Sequence, residues 1–254
     1  MDSEFKRRLA NRERLIGTLL TLPSPEIAEI CADAGFDWLF LDMEHGLLDI
    51  EAVQRIIQTV GRRSACLVRI PENEEMWVKK TLDTGAAGII MPHVNTPEEA
   101  ALNISWGKYP PLGCRSVGIA RAQRYGANLL ESIETANSNV VFVVQTEHIE
   151  AVRNIEAILA VEGVDAVFIG PYDLSASMGK LGKLEDKDVK EAIKTLREAC
   201  ARRKIPSGIF AGTPETGRQV LAEDHSLVCC GMDITVFRGA VESVAGSLKS
   251  SLET

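Results

Sequence analysis

Residues 140–173 read VVFVVQTEHIEAVRNIEAILAVEGVDAVFIGPYD and hold a complete strand–helix–strand unit. Its apolar runs Val140–Gln145 and Ala166–Gly170 do not alternate with polar residues, which is typical of strands buried on both faces of a parallel sheet. Between them, Ile149–Leu159 carries apolar residues near helical spacing. Polar residues follow each run where it ends. The passage therefore predicts a βαβ unit with chemistry at the carboxyl ends of its strands.

The same alternation of apolar run and helical segment extends over the rest of the chain. The other apolar runs are Leu15–Leu20, Trp38–Asp42, Ala65–Ile70, Gly88–Met91, Pro206–Phe210 and Ser226–Cys230. Eight such units in 254 residues predict an α/β fold, a (β/α)8 TIM barrel, which typically needs about 250 residues. We expect a single catalytic domain over residues 1–254, with a helical lead-in over about residues 1–14. A doubly wound sheet is the alternative, but no GxGxxG follows any run.

Composition excludes several classes of function. The chain has 28 basic and 36 acidic residues, a net charge of −8, which argues against nucleic acid or an anionic membrane as the main partner. Its six cysteines form no CxxC, so no zinc ribbon is indicated. The charged N-terminus lacks the apolar core of a secretory signal, and no run of 18 apolar residues occurs. We therefore expect a cytoplasmic protein.

Two carboxylates stand at neighbouring strand ends, Glu147 after the fifth run and Asp173 after the sixth. Two carboxylates without a Cys or His cluster suit a hard divalent cation such as Mg²⁺, which takes its other ligands from substrate and water. The alternative is a pair of solvated loop carboxylates. Both interpretations stay open on spacing alone.

Arg69 and His45 are the other candidates at the strand ends. An Arg at the end of an apolar strand needs an anionic partner. That partner is a substrate carboxylate or a structural ion pair with Glu44 or Glu147, and both can hold at once. His45 follows the second run and suits general acid–base chemistry, with His93 and His148 as competitors. His225 is expected at the surface.

Two other mechanisms are disfavoured, and one long segment stands out. No Lys falls at a strand end and no GxSxG occurs, which argues against a Schiff-base aldolase and an α/β-hydrolase. Residues 106–130 form a long polar segment after the fourth run. We expect it to lie over the barrel mouth, with Arg121 and Arg124 in its basic run.

Several motifs together resemble the HpcH/HpaI aldolase family of metal-dependent class II pyruvate aldolases, which includes 4-hydroxy-2-oxoheptanedioate aldolase and 2-dehydro-3-deoxygalactarate aldolase. The resemblance spans about residues 15–239. Its motifs are FDWLFLDMEHGLLD (36–49), LVRIP (67–71), YPPLGCRSVG (109–118), VQTEHIEAVRNIEAIL (144–159) and EGVDAVFIGPYDLSASMG (162–179).

The resemblance implies a (β/α)8 barrel assembled as a hexamer, a trimer of dimers. It implies that Glu147 and Asp173 ligate Mg²⁺, Mn²⁺ or Co²⁺, which a pyruvate unit chelates. It also implies that Arg69 stabilises the enolate and that His45 is the acid–base catalyst, with Asp83 as its dyad partner. Gln145 would contact the pyruvate unit, and the backbone N–H groups around Tyr172 and Asp173 would bind its carboxylate.

We therefore expect a lyase that reversibly cleaves a 4-hydroxy-2-oxo or 2-keto-3-deoxy acid to pyruvate and an aldehyde through the pyruvate enolate. An oxaloacetate decarboxylase or a macrophomate-synthase-like enzyme using the same enolate is the first alternative. A non-catalytic barrel is the second, and it should have lost Glu147, Asp173 or Arg69, all of which are present. Tyr172 stands where family members often carry a small residue or Asn, so the aldehyde is left open. Arg121 and Arg124 would favour an acidic or hydroxylated aldehyde, or else form a solvated face or a subunit contact.

Overall fold

A computed structural model describes residues 3–252, which form eight parallel strands closed into a barrel in the order β1 to β8. The strands are β1 Leu15–Leu20, β2 Trp38–Asp42, β3 Ala65–Arg69, β4 Gly88–Met91, β5 Val141–Thr146, β6 Ala166–Ile169, β7 Ser207–Ala211 and β8 Leu227–Met232. The barrel predicted from the apolar runs is confirmed, and each strand begins within one residue of its run.

Helices connect the strands and cover the barrel. They are α1 Ser3–Ala10, α2 Pro25–Asp33, α3 Ile50–Val60, α4 Glu75–Asp83, α5 Pro97–Gly107, α6 Leu129–Asn139, α7 Ile149–Ile158, α8 Pro171–Ser177, α9 Lys187–Arg203, α10 Pro214–Ala222 and α11 Asp233–Ser250. The expected start signals are present: Ser24 and Thr96 cap α2 and α5, each followed by a proline. Within the described residues no helix is long and apolar enough to cross a membrane.

Two apolar layers fix which side chains point into the barrel. In β2, Trp38 and Phe40 belong to the inner cluster, while Leu39 and Leu41 pack outside against the helices. Because side chains alternate along a strand, Asp42 continues the inner set of β2. The same parity places Arg69 and Gln145 inside, after the inner residues of β3 and β5. The strands therefore deliver three polar side chains to the carboxyl end of the lumen.

The amino end of the barrel is closed by α1, whose Phe5 and Leu9 pack into the inner cluster. The expected lead-in helix over residues 1–14 is thus described over Ser3–Ala10, and its first two residues lie outside the described range. The extent of the domain over residues 1–254 stays a prediction.

The long segment between β4 and β5 does not lie over the barrel mouth of its own chain. It follows α5, which returns the chain to the amino end, and α6 comes before β5. Arg121 donates through Nη1 to the Thr84 carbonyl at 2.9 Å, just ahead of β4. The expectation that Arg121 and Arg124 contact the aldehyde is therefore wrong within one chain. Each helix of the barrel runs antiparallel to the strand before it, so the segment that follows α5 lies at the amino ends of the strands, away from the mouth.

His225 is not at the surface as expected. It is 1% exposed, and its Nδ1 lies 3.0 Å from the Ser207 hydroxyl. Burial, with a smaller effect from Arg197, lowers the pKa of His225 to about 4. The residue is therefore a neutral part of the packing between β7 and β8 near neutral pH.

Candidate functional site

Arg69 is the centre of a buried ion-pair cluster at the carboxyl end of the barrel. Its Nε and Nη2 donate to the two carboxylate oxygens of Asp42, at 2.9 and 2.7 Å. Its Nη1 lies 2.9 Å from Glu44 Oε2, and its guanidinium lies 5.2 Å from the centre of the Phe40 ring. The β2–β3 register pairs Asp42 with Arg69. A bidentate pair of this kind fixes the arginine as a planar fork.

Asp42 is a functional candidate that the sequence interpretation missed. Glu44 is one of the two ion-pair partners expected for Arg69, whereas the bidentate partner is Asp42. Asp42 Oδ1 also accepts the backbone N–H groups of Glu44 and His45, at 3.0 and 3.3 Å, which ties the following turn to the strand. The inward parity of β2 was the available signal for it. Burial raises the pKa of Glu44, against the opposing effect of Arg69.

Glu147 lies directly beyond β5, with its side chain 2% exposed. Its Oε1 accepts the backbone N–H of His93 at 2.8 Å, and the Gln145 amide donates to its Oε2. A Cβ on residue 170 would lie 2.8 Å from Glu147 Oε2. Glycine at 170 therefore allows the turn that carries Asp173 to pass close to this carboxylate.

Asp173 and Tyr172 lie in the first turn of α8 and are both exposed. They follow β6, the strand next to β5 in the barrel, so Asp173 opens at the same end as Glu147. Among residues 3–252, no group of three His, Cys, Asp or Glu side chains could form a closed metal cage. The arrangement thus offers two carboxylates rather than a complete ligand set.

His93, which the sequence analysis named only as a competitor of His45, is a second candidate. It follows β4 with a positive φ of 51°, a conformation that is uncommon for residues other than glycine. Its ring Nδ1 lies 3.0 Å from Glu147 Oε1, and its Nε2 lies 2.9 Å from Glu44 Oε1. The position of Pro92-His93 at a strand end was the only signal for it in the sequence.

His45 stands at the same end but is largely free. Its side chain is 67% exposed, and its Nε2 lies 3.8 Å from Glu44 Oε2. His148, the other competing histidine, caps α7 by accepting the Glu150 N–H at Nδ1. Of the three histidines at this end, only His93 bridges the buried carboxylates.

Asp83 is not brought to His45 within one chain. It is the last residue of α4, so it lies at the amino end of the barrel, opposite the carboxyl ends of the strands. Its Oδ1 accepts from Arg115 Nη2 at 2.7 Å, and its side chain is still 32% exposed. Arg115 itself is fully buried and stacks on Tyr109, 4.8 Å from the ring centre.

Comparisons with known proteins give the chain a family. Residues 16–240 match the HpcH/HpaI aldolase/citrate lyase family. The 5-keto-4-deoxy-D-glucarate aldolase of Escherichia coli (strain K12) is 36% identical over 248 residues, covering 97% of each chain.

Solved structures extend the similarity to the whole barrel. An HpcH/HpaI aldolase/citrate lyase family protein from Burkholderia cenocepacia J2315 superposes with a TM-score of 0.94 at 33% identity, covering 98% of this chain and all of that one. Macrophomate synthase superposes with a TM-score of 0.80 at 26% identity, covering 98% of this chain and 88% of that one. Because the family model matches residues 16–240 and an aldolase is 36% identical over nearly the full length of the chain, the chain belongs to the HpcH/HpaI aldolase/citrate lyase family.

Proposed function

We propose that this chain reversibly cleaves a 4-hydroxy-2-oxo or 2-keto-3-deoxy acid to pyruvate and an aldehyde, through the enolate of pyruvate. As a member of an aldolase/citrate lyase family, it is a carbon–carbon lyase. The observation that carries the proposal is that buried Arg69, with its ion-pair cluster, and the buried Glu147 carboxylate, a suitable metal ligand, lie at the same end of the lumen. The proposed location is the cytoplasm, and the proposed partners are pyruvate and an aldehyde, with neither nucleic acid nor a membrane among them.

The donor set fits a hard divalent cation. Glu147 and Asp173 supply carboxylate oxygens, and the Gln145 Oε1 beside them is buried without a hydrogen-bond partner. Two carboxylates with further oxygens from substrate and water suit Mg²⁺, with Mn²⁺ or Co²⁺ as alternatives. When bound, such an ion supplies positive charge that favours the enolate.

Arg69 keeps donors for substrate despite its ion pairs. A guanidinium has five N–H groups. Two of them donate to Asp42, while the Nη1 contact to Glu44 Oε2 is an ion pair without a hydrogen bond. The N–H groups that do not bind Asp42 can donate to the oxygen on which negative charge develops, and fixed donors of this kind lower the barrier to enolate formation. The fork thus stabilises the enolate while Asp42 holds it in place.

Binding and proton transfer fall to the residues around the arginine. Gln145 lies next to Glu147 inside the lumen and contacts the pyruvate unit, whose carboxylate is received by backbone N–H groups at Tyr172 and Asp173. His45, which is exposed at the mouth, takes the C4 hydroxyl proton during cleavage. Imidazole is the side chain most often used for proton transfer of this kind.

Asp83 can serve as the partner of His45 only if it comes from a second copy of the chain, because the two residues lie at opposite ends of one barrel. The proposed hexamer, a trimer of dimers, provides such copies. Helix α11 supports assembly: among its residues only Asp233 is buried. A stripe of exposed apolar side chains with heptad spacing runs along it, formed by Ile234, Phe237, Val241, Val244 and Leu248.

Mixing two inactive variants tests this shared site. His45→Ala and Asp83→Ala should each have little activity alone. A pair unfolded and refolded together should regain about a quarter of wild-type activity, because random pairing gives that share of sites with both residues. Activity would be measured as pyruvate release. No recovery in mixed oligomers verified by mass spectrometry would contradict the shared dyad.

Proton NMR of pyruvate in D₂O tests the proposed function without knowledge of the aldehyde. We expect the methyl signal to disappear with enzyme and Mg²⁺, or with Mn²⁺ or Co²⁺ in samples quenched and chelated before measurement. EDTA should stop the exchange, because enolate formation depends on the metal. Absence of exchange with all three metals, together with no cleavage of 4-hydroxy-2-oxo acids, would contradict the proposal.

A second candidate uses the same enolate without an aldehyde. The similarity to macrophomate synthase favours an enzyme that decarboxylates oxaloacetate or joins the enolate to another acceptor. Pyruvate formed from oxaloacetate at a rate far above aldol cleavage, with no aldehyde-dependent product, would favour this candidate.

A further inference from the structure

A continuous chain of polar contacts crosses the carboxyl end of the barrel, and His93 is its middle member. Glu147 contacts the His93 ring at 3.0 Å, and the same ring contacts Glu44 at 2.9 Å. Glu44 in turn lies 2.9 Å from Arg69, which binds Asp42 bidentately. Side chains from the ends of β2, β3, β4 and β5 are therefore joined through one imidazole.

Three features distinguish His93 from a surface histidine. Its side chain is 61% exposed, yet both ring nitrogens contact carboxylates that are at most 9% exposed. Its backbone N–H donates to Glu147 Oε1, the same oxygen that lies 3.0 Å from its ring Nδ1. Its φ of 51° lies in the left-handed region, a strained conformation that persists only where surrounding contacts hold it. The backbone and the ring of one residue thus converge on Glu147 Oε1.

We propose that His93 is a positioning residue that fixes the Glu147 carboxylate for metal binding and couples it, through Glu44, to the arginine cluster. The inference rests on the proposed function, since it takes Glu147 as a metal ligand. Ligating carboxylates are oriented by hydrogen bonds from neighbouring groups, and loss of such a group typically weakens metal binding by about 10- to 100-fold. Gln145 donates to Glu147 Oε2, and at Oε1 the His93 backbone N–H donates while the ring Nδ1 lies 3.0 Å away, so the ring is the part of this support that a side-chain substitution removes.

The direct test is the affinity of the purified protein for Mn²⁺ alone, measured by the EPR signal of free Mn²⁺. His93→Asn and His93→Gly both accept a positive φ and keep the backbone N–H, so they remove the ring and leave the turn intact. Each should weaken Mn²⁺ binding by about tenfold or more. His148→Asn is the matched control, since Asn can also cap α7, and it should bind within about twofold of wild type.

Coupling to the arginine cluster is tested by a double-mutant cycle with Glu44→Gln. The single change should weaken Mn²⁺ binding several-fold in the wild-type background and by less than about twofold in the His93→Asn background, because the linking ring is already gone. Thermal unfolding of each variant separates positioning from folding, since a merely structural role would lower Tm without weakening Mn²⁺ binding.

Three outcomes are decisive. Mn²⁺ affinity within twofold of wild type in both His93 variants would overturn the positioning role. Additive losses in the cycle would overturn the coupling through Glu44. A wild-type protein that does not bind Mn²⁺ would instead remove the metal assignment of the proposed function, and this inference with it.

Discussion

Glu147→Gln is expected to reduce kcat/KM for aldol cleavage by about 1,000-fold or more. The change keeps the size of the side chain and an oxygen for the His93 N–H, but it removes the negative charge that a divalent ion requires. Loss of the ion removes the electrostatic stabilisation of the enolate, which is commonly among the largest contributions to catalysis. Pyruvate exchange in D₂O and Mn²⁺ binding should fall together with cleavage.

Glu150→Gln is the matched control for this prediction. Glu150 lies three positions further along, exposed in the first turn of α7, and its substitution should leave all three measurements within about twofold of wild type. Asp173→Asn should behave like Glu147→Gln. A Glu147→Gln protein that retained a tenth of wild-type kcat/KM would rule out Glu147 as an essential metal ligand.

Much of the site was predictable because the alternation of side chains along a strand is a local property of the sequence, and the carboxyl ends of parallel strands lie together at one end of a barrel. Non-alternating runs marked the strands, and their ends held Arg69, Gln145 and Glu147, which the structure places at one end of the lumen. Asp42 had the same inward parity as Arg69 and could have been assigned from it. Its bidentate contact depends on the β2–β3 register, which the apolar pattern alone does not specify.

Two features could not be derived from local pattern. His93 follows β4 and contacts Glu147, which follows the neighbouring strand β5, and Glu44, which follows β2 and is one strand further away. Its role therefore depends on how the closed barrel brings these strand ends together. The length and charge of the segment after α5 do not indicate at which end of the barrel it lies. That end follows only when α5, before the segment, and α6, after it, are both recognised as helices.

Arg69→Lys is expected to be nearly as damaging as Arg69→Ala, with kcat/KM reduced by about 100-fold or more in each. A lysine ammonium has three donors and no planar fork. Arg69, in contrast, donates to both oxygens of Asp42, forms an ion pair with Glu44 and keeps further N–H groups for the substrate oxygen. The ammonium can replace the charge but cannot satisfy these partners together, and a buried Asp42 left partly unpaired is costly.

The matching control is Arg63→Lys, a change of the same chemistry at the amino end of the barrel. Arg63 also contacts two carboxylates, Asp33 and Glu29, but its side chain is 39% exposed, so lysine can replace it with little effect on either activity or Tm. Steady-state cleavage and pyruvate exchange would be measured for all three variants. If Arg69→Lys kept kcat/KM within threefold of wild type while Arg69→Ala lost activity, charge alone would be sufficient at this position. The fork, and with it the role of Asp42 in holding the arginine for the enolate, would then have to be abandoned.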